Sequence, residues 1–375
     1  MRRVWWHWNT GLGMCLAVCL AFTAHAQEAR PTAGAPSGAE AKSGAEAKPH
    51  IVIIGTGGTI AGAGASSVNT SAYQSAVVPV DKIIAAVPQV QNIAHVRGEQ
   101  IFQIGSESFT NTRLLQLGKR VSELLKQKDV DGVVITHGTD TIEETAYFLH
   151  LTLKSPKPVV VVGSMRPGTA LSADGPLNLY NAVVVAASKE AAGKGTLVVL
   201  NDEIHTGRDV TKSNTFKTET FQSPYGPLGY VVEGRVLLYR VPARPHTVQT
   251  EFDIDQLKAL PEVHIAYAYG DMSRAAYDGF VKAGVKAIIH AGTGNGSVPE
   301  FIVPVLKEVR SKGIHVVRAS RTGSGVVIRN GEQPDDKYDW IVVDDQNAQK
   351  ARILMALLLT RTNDSKELQK LFWKY

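Results

Sequence analysis

Cysteine is almost absent from this 375-residue chain, and its two examples, Cys15 and Cys19, both lie near the N-terminus. They fall in a segment with two early arginines, an apolar run from Leu12 to Phe22 and the A-x-A sequence Ala24–Ala26. This order is typical of a signal peptide cleaved after its last alanine, and the run is too short to span a membrane. The sequence therefore predicts export to the periplasm, no membrane contact after cleavage, and a mature chain without a thiol for disulfides or for cysteine chemistry.

Several motifs of known chemistry are also missing. No G-x-x-x-x-G-K-[ST] phosphate loop and no H-E-x-x-H zinc motif occurs, and the residues around Ser106 and Ser164 do not fit G-x-S-x-G. The net charge of +5 is small for this length, and no block of Lys and Arg interleaved with aromatic residues is present. We therefore expect no nucleic-acid partner, no metal ion and no cofactor.

The N-terminal third of the chain also contains a segment with little apolar content. Residues 27–48 have no large apolar side chain, and the six residues Ser37–Lys42 repeat identically as Ser43–Lys48. Such a segment cannot bury apolar surface. We interpret it as a flexible linker between the signal peptide, residues 1–26, and the folded body.

From residue 49 onwards, short apolar runs alternate with segments of helical length. The runs Gly132–Thr136, Pro158–Val162 and Leu197–Leu200 predict strands, whereas Leu177–Ala187 predicts a helix. The stretch Asn201–Thr215 is polar, and we expect it to be a loop. Repeated β-then-α units favour a mostly parallel sheet with helices on both faces.

A polar, proline-bearing stretch interrupts this pattern at residues 241–261, and strand-like runs resume at Val263. We therefore predict two α/β domains that are joined by this connection. The larger N-terminal domain covers residues 49–240 and has a mostly parallel sheet. The smaller C-terminal α/β domain covers residues 262–375.

The first strand-like run breaks abruptly into glycines around a threonine, within the stretch His50–Gly62. Doubly wound folds bind ligands just beyond the carboxyl ends of their strands. Glycines there permit tight turns and leave backbone N–H groups free to hold an anion, with Thr59 beside them. Ile60 occupies the third glycine position of a dinucleotide-binding G-x-G-x-x-G frame, so that motif is excluded. We predict an oxyanion site next to Thr59, with an ordinary β–α turn as the alternative.

Hydroxyls and charges also follow other predicted strands, at Ser106 and Glu107, at Thr139 and Asp140, and at Lys212. Hydrolysis by a hydroxyl nucleophile needs a base and oxyanion donors, and a lysine oriented by an aspartate can activate a threonine. Each residue alone has an ordinary explanation, such as a helix N-cap or a solvated loop lysine. Together they form a candidate hydrolase site, in which we expect the neighbouring His137 to be structural.

Two longer motifs identify a family. The sequences Thr56–Ile60 and His137–Thr141 together resemble the two signature motifs of bacterial L-asparaginases. The likeness extends from about His50 to Tyr375. It includes the blocks Ser172–Gly175, Gly207–Lys212, Gly292–Gly296 and Gln333–Trp340. With the predicted signal peptide, the chain is similar to the exported type II branch, and within it to the Pseudomonas-type glutaminase-asparaginases.

The resemblance implies roles for residues near the first motif. Thr59 matches the nucleophile that forms an acyl-enzyme ester, and Tyr73 matches a tyrosine of a flexible lid that hydrogen-bonds this threonine. Glu332 matches the acidic residue that polarises the tyrosine. Gly58, beside the nucleophile, is assigned to substrate binding.

The resemblance also implies a second hydroxyl–acid–lysine set, formed by Thr139, Asp140 and Lys212. Ser106, Glu107 and Asp140 match groups that hold the α-carboxylate and α-ammonium of an amino-acid substrate, and Thr139 also faces the substrate. Whether Lys212 or the Tyr73–Glu332 pair is the effective base is left open.

A further implication concerns assembly. Asn295 matches a substrate-binding residue that reaches the active site of a neighbouring subunit in an intimate dimer. Two such dimers form a homotetramer in the family.

The implied reaction is the hydrolysis of L-glutamine and L-asparagine to glutamate or aspartate and ammonia. Glu107 stands where the enterobacterial asparaginases have Gln and the dual-activity enzymes have Glu, so we expect both amides to be substrates. One alternative is an exported amino-acid-binding protein without catalysis. Another is an amidase for peptides or for glutaminyl-tRNA, although export argues against a tRNA substrate.

Overall fold

A computed structural model describes residues 47–375. The predicted signal peptide and most of the predicted linker lie outside the described residues. The described chain contains the following strands: β1 (His50–Gly57), β2 (His95–Ile104), β3 (Gly132–Thr136), β4 (Val159–Val162), β5 (Thr196–Leu200), β6 (Glu203–Thr206), β7 (Thr211–Lys212), β8 (Phe221–Gln222), β9 (Gly229–Val232), β10 (Arg235–Leu238), β11 (Val263–Tyr267), β12 (Ala287–Gly292), β13 (His315–Ser320) and β14 (Ile341–Val342).

Helices separate most of these strands. They are α1 (Val80–Ala85), α2 (Val90–Ile93), α3 (Asn111–Lys126), α4 (Ile142–Thr152), α5 (Gly175–Ala187), α6 (Ala275–Ala283), α7 (Val303–Ser311), α8 (Asp335–Tyr338), α9 (Ala348–Leu358) and α10 (Ser365–Lys374). Within residues 47–375, none of them is long and apolar enough to cross a membrane.

The larger sheet has eight strands in the order β10-β9-β6-β5-β4-β3-β1-β2. Its strands β2, β1, β3, β4 and β5 are parallel, whereas β6, β9 and β10 join antiparallel at one edge. The apolar run of β1 is continuous because its alternate residues pack on opposite faces of the sheet. Ile51 and Ile53 pack in a cluster with α5 residues, whereas Val52 and Ile54 pack in another with α3 and α4 residues. A parallel strand covered by helices on both faces requires this continuous hydrophobicity.

The smaller sheet contains four parallel strands in the order β11-β12-β13-β14. One face packs against α6 and α7, around Tyr277 and Leu306. The other face shares a hydrophobic cluster with α9 and with the larger sheet. The fold class predicted from sequence is confirmed: a larger N-terminal α/β domain with a mostly parallel sheet and a smaller C-terminal α/β domain. Because one core joins both sheets in the compact unit 47–375, the limits 49–240, 241–261 and 262–375 stay a prediction.

The order of the parallel strands determines where a ligand can bind. From β1 the chain moves to β2 on one side, and then crosses over to β3 on the other side. The strand order therefore reverses between β1 and β3, and the crevice outside their carboxyl ends is the usual ligand site of an open α/β sheet. Thr59 follows β1 and Thr139 follows β3, so both predicted site loops begin at this crevice.

The polar stretch Asn201–Thr215 is not the continuous loop that its composition predicts. Asn201 and Asp202 have φ angles of 51° and 64° and connect β5 to β6 as a two-residue hairpin turn. Positive φ at both central residues suits such a turn, and Asn and Asp tolerate it better than most residues. The same stretch also contains the short strand β7, which pairs with β8. Lys212 lies on this strand and not in a free loop.

Candidate active site

Glycines bring the predicted site loops into contact. A methyl group added at Gly58 would lie 2.3 Å from the Cα of Gly138, and one added at Gly138 would lie 2.6 Å from the Oγ of Ser106. Gly58 also has a φ of 79°, which other residues rarely adopt. The loops after β1, β2 and β3 can therefore meet only because these two positions lack side chains. The glycine-rich sequence predicts tight turns at these positions but gives no sign of this steric role.

Thr59 and Tyr73 form a hydrogen-bonded pair, which we name the loop pair. The two hydroxyl oxygens are 2.6 Å apart. Thr59 is 8% exposed and lies in a short 3₁₀ turn directly after β1. Tyr73 belongs to the connection between this turn and α1, in which residues 65–72 are exposed. The contact predicted for these two residues is thus present in the structure.

Thr139, Asp140 and Lys212 form a second group, which we name the lysine set. The Nζ of Lys212 donates to the Oγ1 of Thr139 at 2.9 Å and to the Oδ1 of Asp140 at 2.6 Å. The lysine side chain is 18% exposed and the aspartate 60% exposed. Lys212 reaches from β7 to the loop after β3, so the predicted set is brought together across 72 residues of chain.

Ser106 and Glu107 begin the segment after β2, on the same side of the sheet. Ser106 is buried, and its carbonyl oxygen accepts a hydrogen bond from the Thr141 hydroxyl at 2.9 Å. Glu107 is exposed, and its carboxylate folds back over Gly105 and accepts a bond from Ser108 at 3.3 Å. Ser106 therefore adjoins the loop of the lysine set, whereas the Glu107 carboxylate is open to solvent.

The backbone amides near the two threonines differ in their availability. The N–H of Gly58 donates to the carbonyl of Ile104 at 3.0 Å, so it is not free for an oxyanion as the glycine-rich sequence suggested. Within residues 47–375, the amides of Thr59 and Thr139 have no backbone or side-chain acceptor. Both amides are therefore available to a developing negative charge in the crevice.

His137 lies beneath the loops and has a structural role, as expected. Its ring is fully buried, 2.7 Å from the Oγ1 of Thr56 and 2.9 Å from the Oγ1 of Thr145. Because the Thr56 hydroxyl donates to the Thr136 carbonyl, the Nδ1 of His137 carries the proton and Nε2 accepts from Thr145. Burial lowers the pKa of His137 to about 3, so the ring is neutral at pH 7. It links β1 to α4 below the crevice.

Asn295 and Glu332 lie together in a separate cluster on the smaller sheet. The Oδ1 of Asn295 accepts from the Ile328 amide at 2.8 Å, and the Glu332 carboxylate accepts from the Ser297 hydroxyl. Among the described residues, neither side chain is hydrogen-bonded to Thr59 or Tyr73. The contact between Glu332 and Tyr73 that the resemblance implies is therefore not formed within one chain.

A buried ion pair holds this second cluster together. Arg318 and Asp335 are both fully buried, and their side chains make two hydrogen bonds of 2.6 Å. The same guanidinium donates to the carbonyls of Gly296 and Ile328. Sequence reasoning missed Arg318, because an arginine in an apolar strand gives no signal of its buried partner.

The described residues hold no group of three or more His, Cys, Asp or Glu side chains placed to bind a metal ion. The crevice is instead lined by hydroxyls, a lysine and carboxylates at a switch point of the sheet. This is the arrangement that amide hydrolysis by a hydroxyl nucleophile requires. The fold and the site thus define a hydrolase that is built on an α/β fold and that has a hydroxyl nucleophile.

Comparisons with known proteins agree with this class. The family described as "Asparaginase, N-terminal" matches residues 50–244, and "Glutaminase/Asparaginase C-terminal domain" matches residues 262–372. The chain is 61% identical to the glutaminase-asparaginase of Pseudomonas fluorescens biotype A, over 87% of this chain and 90% of that protein. It is 48% identical to the "Probable L-asparaginase periplasmic" of Haemophilus influenzae, over 86% and 92% of the two chains.

A solved structure gives the same result. The fold superposes with a TM-score of 0.85 on a probable cytoplasmic L-asparaginase from Campylobacter jejuni, at 45% identity, over 88% of this chain and all of that one. The chain therefore belongs to the asparaginase family. Its similarity to the relatives named glutaminase-asparaginase confirms the resemblance that the two signature motifs indicate.

Proposed function

We propose that the protein hydrolyses L-glutamine and L-asparagine to glutamate or aspartate and ammonia, through an ester on Thr59. The observation that carries this proposal is the hydroxyl of Thr59, 2.6 Å from Tyr73, in the crevice that also contains the lysine set. The names of the similar proteins support the substrates and the amidohydrolase class.

The proposed reaction has two halves. The Oγ1 of Thr59 attacks the side-chain amide carbon of the substrate as its proton moves to the base. The negative charge on the amide oxygen is held by the free N–H groups near Thr59 and Thr139. The C–N bond then breaks, and the nitrogen takes a proton and leaves as ammonia. Water attacks the ester, which releases the acid and restores Thr59.

We assign the first proton transfer to Tyr73, because it is in direct hydrogen-bond contact with Thr59. Lys212 contacts the other threonine, and it provides a positive charge and a second activated hydroxyl on the opposite wall of the crevice. The substrate's ammonium group is assigned to Asp140 and Glu107, and its carboxylate to Ser106 and the backbone at Thr139.

We further propose that the site is completed by a neighbouring subunit. Asn295 and Glu332 share one cluster and are hydrogen-bonded away from Tyr73 within their own chain. A second copy can present this cluster to the crevice, in a dimer that pairs into a homotetramer. Light scattering on the purified protein tests this, and a fully active monomer would contradict the roles given to Asn295 and Glu332.

Export is also part of the proposal. The predicted signal peptide, cleaved after Ala26, supports secretion to the periplasm, and one similar protein carries "periplasmic" in its name. Cell fractionation, with mass spectrometry of the mature N-terminus, tests both statements. Recovery of the uncleaved chain in the cytoplasm would refute them.

The central experiment compares the wild type with Thr59→Ala, using ammonia release from glutamine and from asparagine. The variant removes one hydroxyl and one methyl group, and we expect it to reduce kcat by about three orders of magnitude or more. A wild type that releases no ammonia would refute the enzyme and favour an amino-acid-binding protein. Equal rates from both proteins would refute the role of Thr59. Circular dichroism of the two proteins controls for folding.

A further inference from the structure

The lysine set depends on two segments that are distant in the chain. Thr139 and Asp140 precede α4, whereas Lys212 lies on β7. Its contacts of 2.6 to 2.9 Å persist only if α4 and β7 keep their separation. A residue that bridges these two elements would control the geometry of the set, although it touches no substrate.

The N-terminus of α9 makes such a bridge. The Nδ2 of Asn347 donates to the Oε2 of Glu143, in the first turn of α4, at 2.9 Å. The same nitrogen lies 3.4 Å from the Oγ1 of Thr211, the residue directly before Lys212. One side-chain amide therefore connects the chain three residues after Asp140 to the chain one residue before Lys212.

Lys350, one turn further along α9, holds the segment that leads into β7. Its Nζ donates to the carbonyl of Arg208 at 2.6 Å and to that of Val210. The side chain is 3% exposed, and burial lowers its pKa to about 8. A lysine is rarely placed in such an environment unless its donors are used, and here they fix the backbone two and four residues before Lys212.

The rest of this turn makes contacts of the same kind. Gln346 donates to the hydroxyl of Tyr147, within α4, at 2.6 Å. Arg352 donates to the Glu144 carboxylate at 2.7 Å. The N-terminal part of α9 and the two residues before it are thus tied to α4 by three side chains and to the β7 segment by two.

Building on the function proposed above, we propose that Asn347 is a positioning residue that holds Lys212 at hydrogen-bonding distance from Thr139 and Asp140. The bridge acts from the smaller sheet's side of the molecule, since α9 also packs against β11 and β12. The C-terminal part of the chain therefore contributes to catalysis within its own subunit, apart from any residue that it lends to a neighbour.

A substitution that separates bridging from helix capping tests the proposal. Asn347 also caps α9, because its Oδ1 accepts from the Lys350 amide at 2.9 Å. Asn347→Asp keeps this cap, since Asp is as good an N-cap as Asn. It removes the bridging donor and places a carboxylate against Glu143. We expect kcat for both amides to fall about tenfold to a hundredfold, the usual effect of an angstrom-scale misplacement.

Three further readouts distinguish positioning from simple destabilisation. We expect KM to change less than about threefold, because Asn347 contacts none of the groups assigned to the substrate and the variant displaces Lys212 rather than Asp140. The pH dependence of kcat should shift, since it reports the ionising groups that the bridge positions. Adding Glu143→Gln to Asn347→Asp should restore most of the lost kcat, because the introduced amide can donate to the introduced carboxylate.

A matched control uses the cap of another helix. Asp364 caps α10 by accepting from the Glu367 amide at 2.8 Å, and it belongs to no bridge. Asp364→Ala should lower the melting temperature with no change in kcat or in its pH dependence. If Asn347→Asp fails to fold, Asn347→Ser replaces it, since serine also caps helices but lacks the bridging nitrogen.

The outcomes are separable. A folded Asn347→Asp protein with a kcat within twofold of the wild type and the same pH dependence would overturn the proposal. A wild type without activity on either amide would instead refute the proposed function. The bridge is then judged by the crystal structure of Asn347→Asp, in which we expect the distance from Lys212 Nζ to Thr139 Oγ1 to exceed hydrogen-bonding range. An unchanged distance would overturn the bridge.

Discussion

Thr59 is hydrogen-bonded to a tyrosine that comes from an exposed surface segment. Thr139 is instead hydrogen-bonded to a lysine that is held within a frame of strands and helices. The segment of Tyr73 is held by hydrogen bonds to neighbouring loops, among them the Ala63–Gln74 bridge and the bond from the Gly64 amide to the Thr169 hydroxyl at 2.8 Å. The loop pair is therefore closed by an exposed segment, whose residues 65–72 belong to none of the hydrophobic clusters.

The lysine set, in contrast, is held by regular secondary structure. Lys212 lies on a paired strand, and α9 holds both β7 and α4 through buried donors. Buried donors such as those of Lys350 resist displacement, because each group that lost its partner would be left unsatisfied. The difference suggests a division of labour. The proposed nucleophile is covered by a tyrosine from an exposed segment, whereas the lysine is held among paired strands and helices.

Lys212→Met is the strongest challenge to this comparison. It keeps the length of the side chain but removes the charge that contacts Thr139 and Asp140. Because no other group in the set can supply this positive charge beside Thr139, we expect kcat to fall by about 10³, within the usual range for losing one electrostatic stabiliser of a transition state. Steady-state kinetics on glutamine measure the effect.

The matched control for this prediction is Lys217→Met, at an exposed lysine of the loop between β7 and β8. It removes the same charge without touching the crevice, and it should leave kcat unchanged. If Lys212→Met were as active as this control, the lysine set would be a structural feature only.

Tyr73→Phe tests the other half of the comparison. It removes one hydroxyl, 2.6 Å from Thr59, and keeps the ring that covers Gly62. We expect kcat to fall by about 10², less than for Lys212→Met, because water can enter this exposed side of the crevice and accept the proton. A larger loss than for Lys212→Met, measured under the same conditions, would show that the loop pair contributes more to kcat than the lysine set, the reverse of what we expect.

Much of this arrangement could be predicted from the sequence. The apolar runs that end at Gly57 and Thr136 are continuous because both sheet faces are covered, and the glycines and hydroxyls after them mark the crevice. The two signature motifs then identify the family. Fold class and the positions of Thr59 and Thr139 follow from such local patterns.

Other features depend on contacts between distant parts of the chain. Lys350 lies in a helix of ordinary sequence and would be interpreted as a solvated lysine, yet α9 is packed between α4 and the smaller sheet. Glu332 is hydrogen-bonded to Ser297, 35 residues away. Local periodicity contains no information about such partners, so neither the bridge nor the separate cluster was predictable.

Glu107→Gln tests an exposed residue that belongs to neither the loop pair nor the lysine set. Its carboxylate is open to solvent and is held by Ser108 rather than by the frame. We expect kcat/KM for glutamine to fall about tenfold and that for asparagine to change little, since one methylene is worth about 1–3 kcal/mol of discrimination. Parallel kinetics on both amides measure the ratio. A proportional loss on both substrates would contradict a role of Glu107 in selecting between the two amides.

The prediction with the smallest effect on catalysis concerns the frame beneath both threonines and its stability in acid. His137 links Thr56 of β1 to Thr145 of α4, and burial lowers its pKa from 6.5 to about 3. Between these two pH values the unfolded chain binds a proton that the folded chain does not. Stability therefore falls as the pH drops below about 6.5, by about 1.4 kcal/mol per pH unit for one such histidine.

His137→Gln removes this proton while keeping polar atoms near both threonines. The variant should be less stable than the wild type at pH 7, yet its melting temperature should fall less between pH 7 and pH 5. Burial also lowers the pKa of His150 and His290, and these residues act equally in both proteins. If both proteins lost the same number of degrees over this range, His137 would not be the neutral link beneath the crevice. A smaller fall in the melting temperature of the variant would show that protonation of His137 contributes to the loss of stability in acid.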